Sequence, residues 1–162
     1  MVRSLATGIR EARGLSDGPI AAGAGQIVLI VEDEILAAMA IRDELKDAGY
    51  RVLDLTGRPE EVAAIVRDDL PDIALVNIRL HGRDDGLAVA ETLTDHGVPV
   101  VFISGQGDRA RSARSRAIAS FPKPYSAADM VRAVTYLLGW LEGLETPAAP
   151  QGLEVFGAVG SD

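Results

Sequence analysis

Short apolar runs alternate along the chain with segments whose apolar residues recur at helical spacing. The first run, residues 27–31 (IVLIV), is continuous and rich in β-branched side chains, which indicates a strand covered on both faces. Residues 34–48 then place their apolar side chains close to helical spacing and are followed by Gly49, a residue type that commonly ends helices. This part of the chain therefore predicts a strand followed by a helix.

Four further units of the same kind follow. The predicted strands are residues 51–55, 72–77, 98–104 and 117–121. The predicted helices are residues 59–68, 85–96 and 108–117, and a last helix that begins near Ser126. Parallel strands are joined by crossovers that usually contain a helix. Five strand–helix units therefore predict a doubly wound α/β fold, with a five-stranded parallel sheet and helices on both of its faces.

The two ends of the chain differ in pattern from its middle. Residues 16–26 are rich in glycine and alanine and have no periodicity, which is typical of a linker. We therefore expect an N-terminal arm and linker at residues 1–25, a folded domain at 26–145 and a C-terminal tail at 146–162. Only about 20 residues follow the expected core, so the sequence predicts no DNA-binding domain after it.

Composition and charge limit the classes of function. Of 162 residues, 48% are hydrophobic and 25% are charged, as in soluble globular proteins. No apolar run approaches the roughly 20 residues that span a bilayer, and the first residues lack the apolar core of a signal peptide. The sequence has no cysteine, so we expect a cytoplasmic protein without membrane contact. Its net charge of −8 argues against general binding of nucleic acid.

Polar residues follow four of the predicted strands. Glu32 and Asp33 come after the first strand, Asn77 ends the third, Ser104 ends the fourth and Lys123 follows the fifth. Taken singly, each has an ordinary explanation as a helix-start, turn or loop residue. Doubly wound sheets, however, bind ligands at the carboxyl ends of their strands. The five residues together therefore predict a site at that edge of the sheet.

These residues and their surroundings resemble the receiver domains of two-component response regulators. The resemblance covers roughly residues 26–139 and is carried by the stretches LIVEDE, DIALVNIRL, VVFISG and FPKPY, each at the end of a predicted strand. It implies a flavodoxin-like sheet with strand order 2-1-3-4-5. It also implies a signalling protein that is not an enzyme, with a histidine kinase or a histidine phosphotransferase as partner.

In receivers of this kind an acidic pair binds Mg²⁺, and an aspartate after the third strand accepts a phosphoryl group. By position, the resemblance assigns the metal ligands to Glu32, Asp33, Asn77 and the backbone carbonyl of Arg79. It assigns the contacts to the phosphoryl group to Ser104 and Lys123. The chemistry is consistent, because a divalent cation prefers oxygen ligands and phosphoryl transfer needs positive charge near the phosphoryl oxygens.

Asn77 stands where the resemblance requires the phosphate-accepting aspartate. A carboxamide is neutral and does not form the acyl phosphate that a carboxylate can form. The chain should therefore not be phosphorylated at this residue, and Mg²⁺, still a candidate cofactor, should bind more weakly. Two explanations stay open: a natural pseudo-receiver, or a phosphate-accepting receiver in which an aspartate at position 77 was replaced to trap the unphosphorylated state.

Other positions also depart from the receiver pattern. The interval from Ser104 to Lys123 is about one helical turn shorter than usual. The helix predicted at residues 108–117 contains four arginines, and alanine is its only type of apolar residue. We expect either a solvated, salt-bridged helix or a mobile segment that an acidic partner orders. Ser120 replaces the aromatic residue that many receivers carry three positions before the lysine. His81, in the loop after the third strand, is expected to be solvated.

The last helix is predicted to extend beyond the sheet. An apolar seam runs along it through Met130, Val134, Leu137, Trp140, Leu141 and Leu144. This seam predicts a homodimer through the last helix and the tail, with a helix end that folds back onto its own domain as the alternative. The tail is itself apolar at Leu153, Val155, Phe156 and Val159, so it should dock on its own chain or on a partner's.

The sequence as a whole predicts a single-domain receiver that acts by protein–protein contact. The main alternative is the phosphorelay receiver with aspartate at position 77. A second alternative is an enzyme on a flavodoxin-like scaffold. Such an enzyme would need a nucleophile or a glycine-rich phosphate loop directly after the first strand, and the residues there (VEDE) supply neither.

Overall fold

The computed structural model describes residues 25–53, 55–105, 107–145 and 148–157. Within them, the strands are β1 (Ile27–Val31), β2 (Arg51–Val52), β3 (Ile73–Asn77), β4 (Val100–Ser104), β5 (Ala119–Pro122) and β6 (Glu154–Val155). The helices are α1 (Ile35–Asp47), α2 (Pro59–Asp68), α3 (Asp85–Asp95), α4 (Gly107–Ser112) and α5 (Ala127–Leu141), with a 3₁₀ turn at Arg114–Arg116. The predicted N-terminal arm lies outside the described residues and stays a prediction.

The strands form a single sheet with the order β2-β1-β3-β4-β5-β6. The first five are parallel to one another, which confirms the predicted doubly wound fold and its strand order. The sequence did not predict β6, which pairs antiparallel with β5 at the edge of the sheet. In the register, Asn77 lies opposite Ile103 and Ser104 opposite Pro122, so the carboxyl ends of neighbouring strands lie close together.

Two predicted elements are shorter in the structure. β2 pairs with β1 only at Arg51 and Val52, and the chain meets β1 again through a single bridge between Thr56 and Val31. The helix predicted at residues 108–117 ends at Ser112 and continues as the 3₁₀ turn. The one residue that α4 buries is Ala110. This short helix offers little apolar surface, and burial of an apolar face supplies most helix stability in proteins.

Apolar side chains form one buried layer on each face of the sheet. Along β1, Val28 and Ile30 belong to the layer beneath α1 and α5, whereas Leu29 and Val31 belong to the layer beneath α2, α3 and α4. All four side chains are fully buried. This confirms the prediction that the strand is covered on both faces, because a parallel strand with helices on both sides needs apolar residues at every position.

The last helix begins where the sequence predicts. The Ser126 hydroxyl accepts a hydrogen bond from the backbone N–H of Asp129 at 3.0 Å, so it caps the amino end of α5. The helix ends at Leu141, and Glu142 provides its carboxyl cap. Within the part of the chain that the structure describes, no helix is long and apolar enough to cross a membrane.

Most of the seam predicted along the last helix faces the core of its own domain and does not form the predicted dimer surface, while the homodimer itself stays a prediction. Three of its six residues are fully buried in the layer beneath α1 and α5: Met130, Val134 and Leu137. Trp140 and Leu141 are partly buried and pack against the same layer. Leu144 alone of the six is strongly exposed, at 61%. Heptad-like spacing does not separate a dimer seam from a core-facing helix, and here the helix folds onto its own sheet.

Candidate functional site

Four of the predicted site residues lie at the carboxyl ends of neighbouring strands. Glu32 follows β1, Asn77 ends β3, Ser104 ends β4 and Lys123 follows β5. These four strands are adjacent in the sheet and parallel, so the chain brings their ends to one edge. Glu32, Asn77 and Ser104 are buried, and Lys123 is about one-third exposed. Three buried polar residues in one place need partners or a function.

A cavity of about 300 Å³ opens at this edge. It is lined by Asn77, Ile78, Arg79, Asp84, Ser104, Gly105, Arg109 and Lys123. Three of these residues are cationic and one is acidic, so the lining suits an anionic group. The structure thus brings Asn77, Ser104 and Lys123 around one space, and Arg79 lies beside them.

Glu32 is the most perturbed carboxyl group among the described residues. Its side chain is 3% exposed, and neither of its carboxyl oxygens has a hydrogen-bond partner. Burial raises the pKa of Glu32 to about 7, although Lys123 lowers that pKa and the neighbouring Asp33 raises it. The nearby amide of Asn77 also lowers it, as the smallest of these influences. A carboxyl group in this state gains from any cation that reaches it.

Asp33 is held by groups of its own chain. Its Oδ2 accepts a hydrogen bond from the backbone N–H of His81 at 2.8 Å, and its Oδ1 accepts a longer one from Nδ2 of Asn77 at 3.4 Å. His81 has a φ of 51°, and its Nε2 lies 3.0 Å from the carbonyl oxygen of Gly57. The left-handed conformation turns the loop after β3 back over the acidic pair.

Gly86 lets α3 start directly against the acceptor position. A Cβ atom at this position would lie 2.1 Å from the backbone oxygen of Asn77 and 2.6 Å from Cα of Ile78. The Gly86 N–H donates to the backbone oxygen of Ile78 at 2.9 Å. A side chain here would therefore displace the end of β3, because neither contact is with a flexible group.

Ion pairs close the rim of the site. Arg109 of α4 pairs with Asp84, which precedes α3, and both residues line the cavity. Nζ of Lys123 lies 3.9 Å from Oε1 of Glu34. The same ammonium also attracts the carboxylate of Glu32 electrostatically. Three of the four arginines predicted for this region, Arg109, Arg111 and Arg116, form ion pairs with separate acidic residues, which favours the salt-bridged alternative for α4 over a mobile segment.

The acidic pair forms a partial site for a divalent cation. Within the described ranges, no group of three or more His, Cys, Asp or Glu residues is arranged to hold a metal. The two unpartnered oxygens of Glu32 are nevertheless donors that a hard cation would satisfy. A cation bound there would also need Asp33, the amide oxygen of Asn77, the carbonyl of Arg79 and water. These residues fit Mg²⁺ as a weak ligand set.

Sequence reasoning missed three contributors to the site. His81 was expected to be solvated, and although its side chain is 59% exposed, its backbone N–H holds Asp33. Arg109 was considered only as one of the four arginines of the helix after the fourth strand and Asp84 was not singled out, yet both line the cavity. Their proximity to the strand ends in sequence was the available signal, since loops that follow β3 and β4 must border the same edge.

Comparison with known proteins identifies the class of domain. The family model of the response regulator receiver domain matches residues 28–135. The chain is 28% identical over 110 residues to the transcriptional regulatory protein PdtaR of Mycobacterium tuberculosis, a match that covers 66% of this chain and 54% of PdtaR. It is 36% identical over 112 residues to the positive alginate biosynthesis regulatory protein of Pseudomonas aeruginosa, covering 66% and 45%. The chain therefore spans about half the length of these relatives.

Solved structures agree with this assignment. The signal receiver domain of a modulated diguanylate cyclase from Desulfovibrio desulfuricans G20 aligns with a TM-score of 0.63 at 32% identity, covering 73% of this chain and 97% of that domain. A CheY-like receiver domain protein from Methanospirillum hungatei aligns with a TM-score of 0.64 at 20% identity, covering 74% and 98%. The second likeness concerns the fold alone.

Proposed function

The chain belongs to the response regulator receiver domain family, and on that premise we propose that it acts in two-component signalling without being phosphorylated at Asn77. Receivers are signalling domains rather than enzymes, and this one works through contact with other proteins. The unphosphorylated conformation of the site is then the conformation that binds its partner. The partner reads a surface that does not depend on transfer of a phosphoryl group.

The chemistry of Asn77 is the observation that carries this proposal. Its side chain is buried at the acceptor position, and its Nδ2 donates to Asp33. An amide nitrogen has a delocalised lone pair, and an amide oxygen does not form a stable acyl phosphate. The remaining parts, Ser104 and Lys123, lie around the same cavity, so the pocket keeps its shape while it lacks a nucleophile.

Weak binding of Mg²⁺ accompanies the proposal. Mg²⁺ in a receiver neutralises the acidic pair and the phosphoryl oxygens. In this chain Asn77 removes one negative charge, and Asp33 already accepts two hydrogen bonds from its own chain. A cation must displace at least the His81 N–H or share the carboxylate with it. The affinity for Mg²⁺ should therefore be lower than that of a site with three carboxylates.

A histidine kinase or a histidine phosphotransferase is the partner class that we propose. At the start of α1, Ile35 and Leu36 are 59% and 79% exposed, and Met39 is 37% exposed. The same helix supplies part of a cavity of about 500 Å³ that also reaches two residues of the site; its lining includes Glu32, Ala37, Ala40, Ile41 and Lys123. An apolar helix face beside the site suits the apolar face of a partner helix.

Exposure to a small phosphodonor tests the proposal. The chain is incubated with acetyl phosphate and Mg²⁺, and its intact mass is measured. In parallel, beryllofluoride and Mg²⁺ are titrated while NMR follows the amides of Ser104 and Lys123. We expect no added phosphoryl group and no saturable shift. A phosphoryl adduct on residues 73–80 of the unaltered chain would overturn the proposal.

Asn77→Asp separates the two explanations left open by the sequence. In a receiver whose aspartate had been replaced, this single change restores phosphorylation, because every other part is already in place. In a pseudo-receiver, contacts such as Arg109 with Asp84 and His81 with Asp33 have been fixed around a neutral residue. The variant should then accept phosphate poorly. Rapid and stoichiometric phosphorylation of Asn77→Asp would favour the phosphate-accepting receiver.

A further inference from the structure

The C-terminal segment, residues 148–157, lies along the free edge of the sheet. In it, β6 pairs antiparallel with β5, with Val155 opposite Ala119 and Glu154 opposite Ser120. The backbone N–H of Phe156 also donates to the carbonyl oxygen of Ile118 at 2.7 Å. The segment therefore binds β5 in the way that an extended peptide adds a strand to an exposed sheet edge.

Side chains of the C-terminal segment reach both faces of the sheet. Leu153 packs against the apolar layer beneath α1 and α5, and Phe156 packs against the layer beneath α2, α3 and α4. Glu154 and Phe156 are two positions apart, so they lie on the same side of the strand. That side faces α4, whose inward residue is only Ala110. Phe156 thus supplies apolar surface that α4 lacks.

Arg111 of α4 recognises the carboxylate of the segment. Its Nε donates to both oxygens of Glu154, at 3.0 and 3.1 Å, and its Nη1 donates to Asp108 at 3.1 Å. A hydrogen bond from a guanidinium to a carboxylate is charge-assisted and therefore stronger than one between neutral groups. The edge of β5 thus combines main-chain pairing, an apolar contact and a cationic side chain, three features that suit an acidic peptide.

The C-terminal segment is held weakly enough to leave this surface. Its ladder is two residues long, and Arg111 and Glu154 have side chains that are 57% and 42% exposed. Exposed ion pairs contribute little, and short edge strands open before the rest of a domain. An external strand with the same chemistry would compete for the same groups of β5 and α4.

We propose that the edge of β5, together with Arg111 and the apolar layer against which Phe156 packs, is a docking surface for an extended acidic segment of a partner protein, and that residues 148–157 are its intramolecular competitor. The preferred segment has an acidic residue followed two positions later by an aromatic one. This surface is separate from the apolar face of α1, so the chain can hold two partners at once. It goes beyond the proposed signalling role and does not depend on the state of Asn77.

A synthetic peptide of residues 148–157 with a fluorescent label serves as the probe. Binding to the full chain is measured by fluorescence anisotropy. In the wild type the peptide must displace the resident segment. In Glu154→Arg the resident segment repels Arg111, so the peptide should bind about fivefold more tightly than it binds the wild type. Glu44→Arg, an exposed change of the same charge on α1, is the matched control and should bind as the wild type does.

Charge reversal tests the contact of Arg111. In Arg111→Glu, where the resident segment is repelled as well, a peptide that carries the Glu154→Arg change should bind more tightly than the wild-type peptide, which reverses the preference of the wild type. Glu154→Gln, which alters shape least, should give an intermediate affinity and keeps the test decisive if Glu154→Arg does not fold. Equal binding by wild type, Glu154→Arg and Glu154→Gln would overturn the competition. An Arg111→Glu chain that does not prefer the Glu154→Arg peptide to the wild-type peptide would overturn the docking site itself.

Discussion

Replacing Glu32 by glutamine should make the stability of the chain less dependent on pH between pH 5.5 and 8. The side chain is buried, has no hydrogen-bond partner for its two oxygens and lies in the field of Lys123. Glutamine keeps the shape and cannot ionise, so the substitution isolates the charge. The unfolded chain supplies the reference, in which a glutamate titrates near its ordinary pKa.

The sign follows from the direction of the pKa shift. Burial raises the pKa of Glu32 from 4.5 to about 7, so the folded chain binds this proton more tightly than the unfolded chain. The associated stability is fully present below pH 4.5 and is lost as the pH rises through 7. A shift of this size corresponds to about 3 kcal/mol, of which about 2 kcal/mol is lost between pH 5.5 and pH 8.

Urea denaturation at several pH values between 5.5 and 8 measures the effect. The free energy of unfolding of the wild type should fall relative to that of Glu32→Gln by about 2 kcal/mol across this range. Taking the difference between the two proteins removes the pH dependence that both proteins share. A difference that stays constant with pH would refute the claim that burial holds this proton.

Three further outcomes can be measured on the same protein. Mg²⁺ favours the charged form of Glu32, so millimolar Mg²⁺ should move the pH-dependent loss of stability of the wild type to lower pH. The pH dependence of the stability of Glu32→Gln should not change with Mg²⁺, and an equal response of both proteins would remove Glu32 from the cation site. Gly86→Ala should destabilise the chain by about 1–3 kcal/mol despite the better helix propensity of alanine, because its Cβ would meet the backbone of Asn77. Gly105→Ala is the control, since the space around Gly105 is open, and it should have little effect in thermal unfolding. Met130→Ala should cost about 2–5 kcal/mol in urea denaturation and Leu144→Ala about 0.5 kcal/mol or less, and similar losses would contradict the assignment of the last helix to the core.

The fold could be predicted from the sequence because its buried strands have a clear apolar pattern. Continuous apolar runs such as residues 27–31 occur where both faces of a strand are covered, and Ser126 marked the start of the last helix by its capping chemistry. β6 could not be predicted, because a two-residue strand is too short to show an alternation of apolar and polar residues. The apolar residues around it predicted docking, and the docking proved to be on the chain itself.

The site was predictable as a set of strand ends and less so as a set of contacts. Glu32, Asn77, Ser104 and Lys123 were found because topology alone brings the ends of parallel strands together. The hydrogen bond from His81 to Asp33 depends on a left-handed backbone conformation at a residue that is not glycine, which sequence patterns rarely reveal. Three residues of the seam along the last helix, Met130, Val134 and Leu137, were assigned to a dimer surface but lie in the core, because spacing gives the apolar face of a helix and not what covers it.

Phe156 completes the apolar layer beneath α4 from outside the residues that the receiver family model matches. Part of the apolar cover of this sheet therefore lies beyond the residues that sequence comparison recognises. A further module joined directly behind α5 would pull residues 148–157 away from the sheet edge and uncover apolar surface around Ala110. Modules can be attached without that cost only behind the segment, so the position of one aromatic side chain sets where this receiver can be fused to other domains.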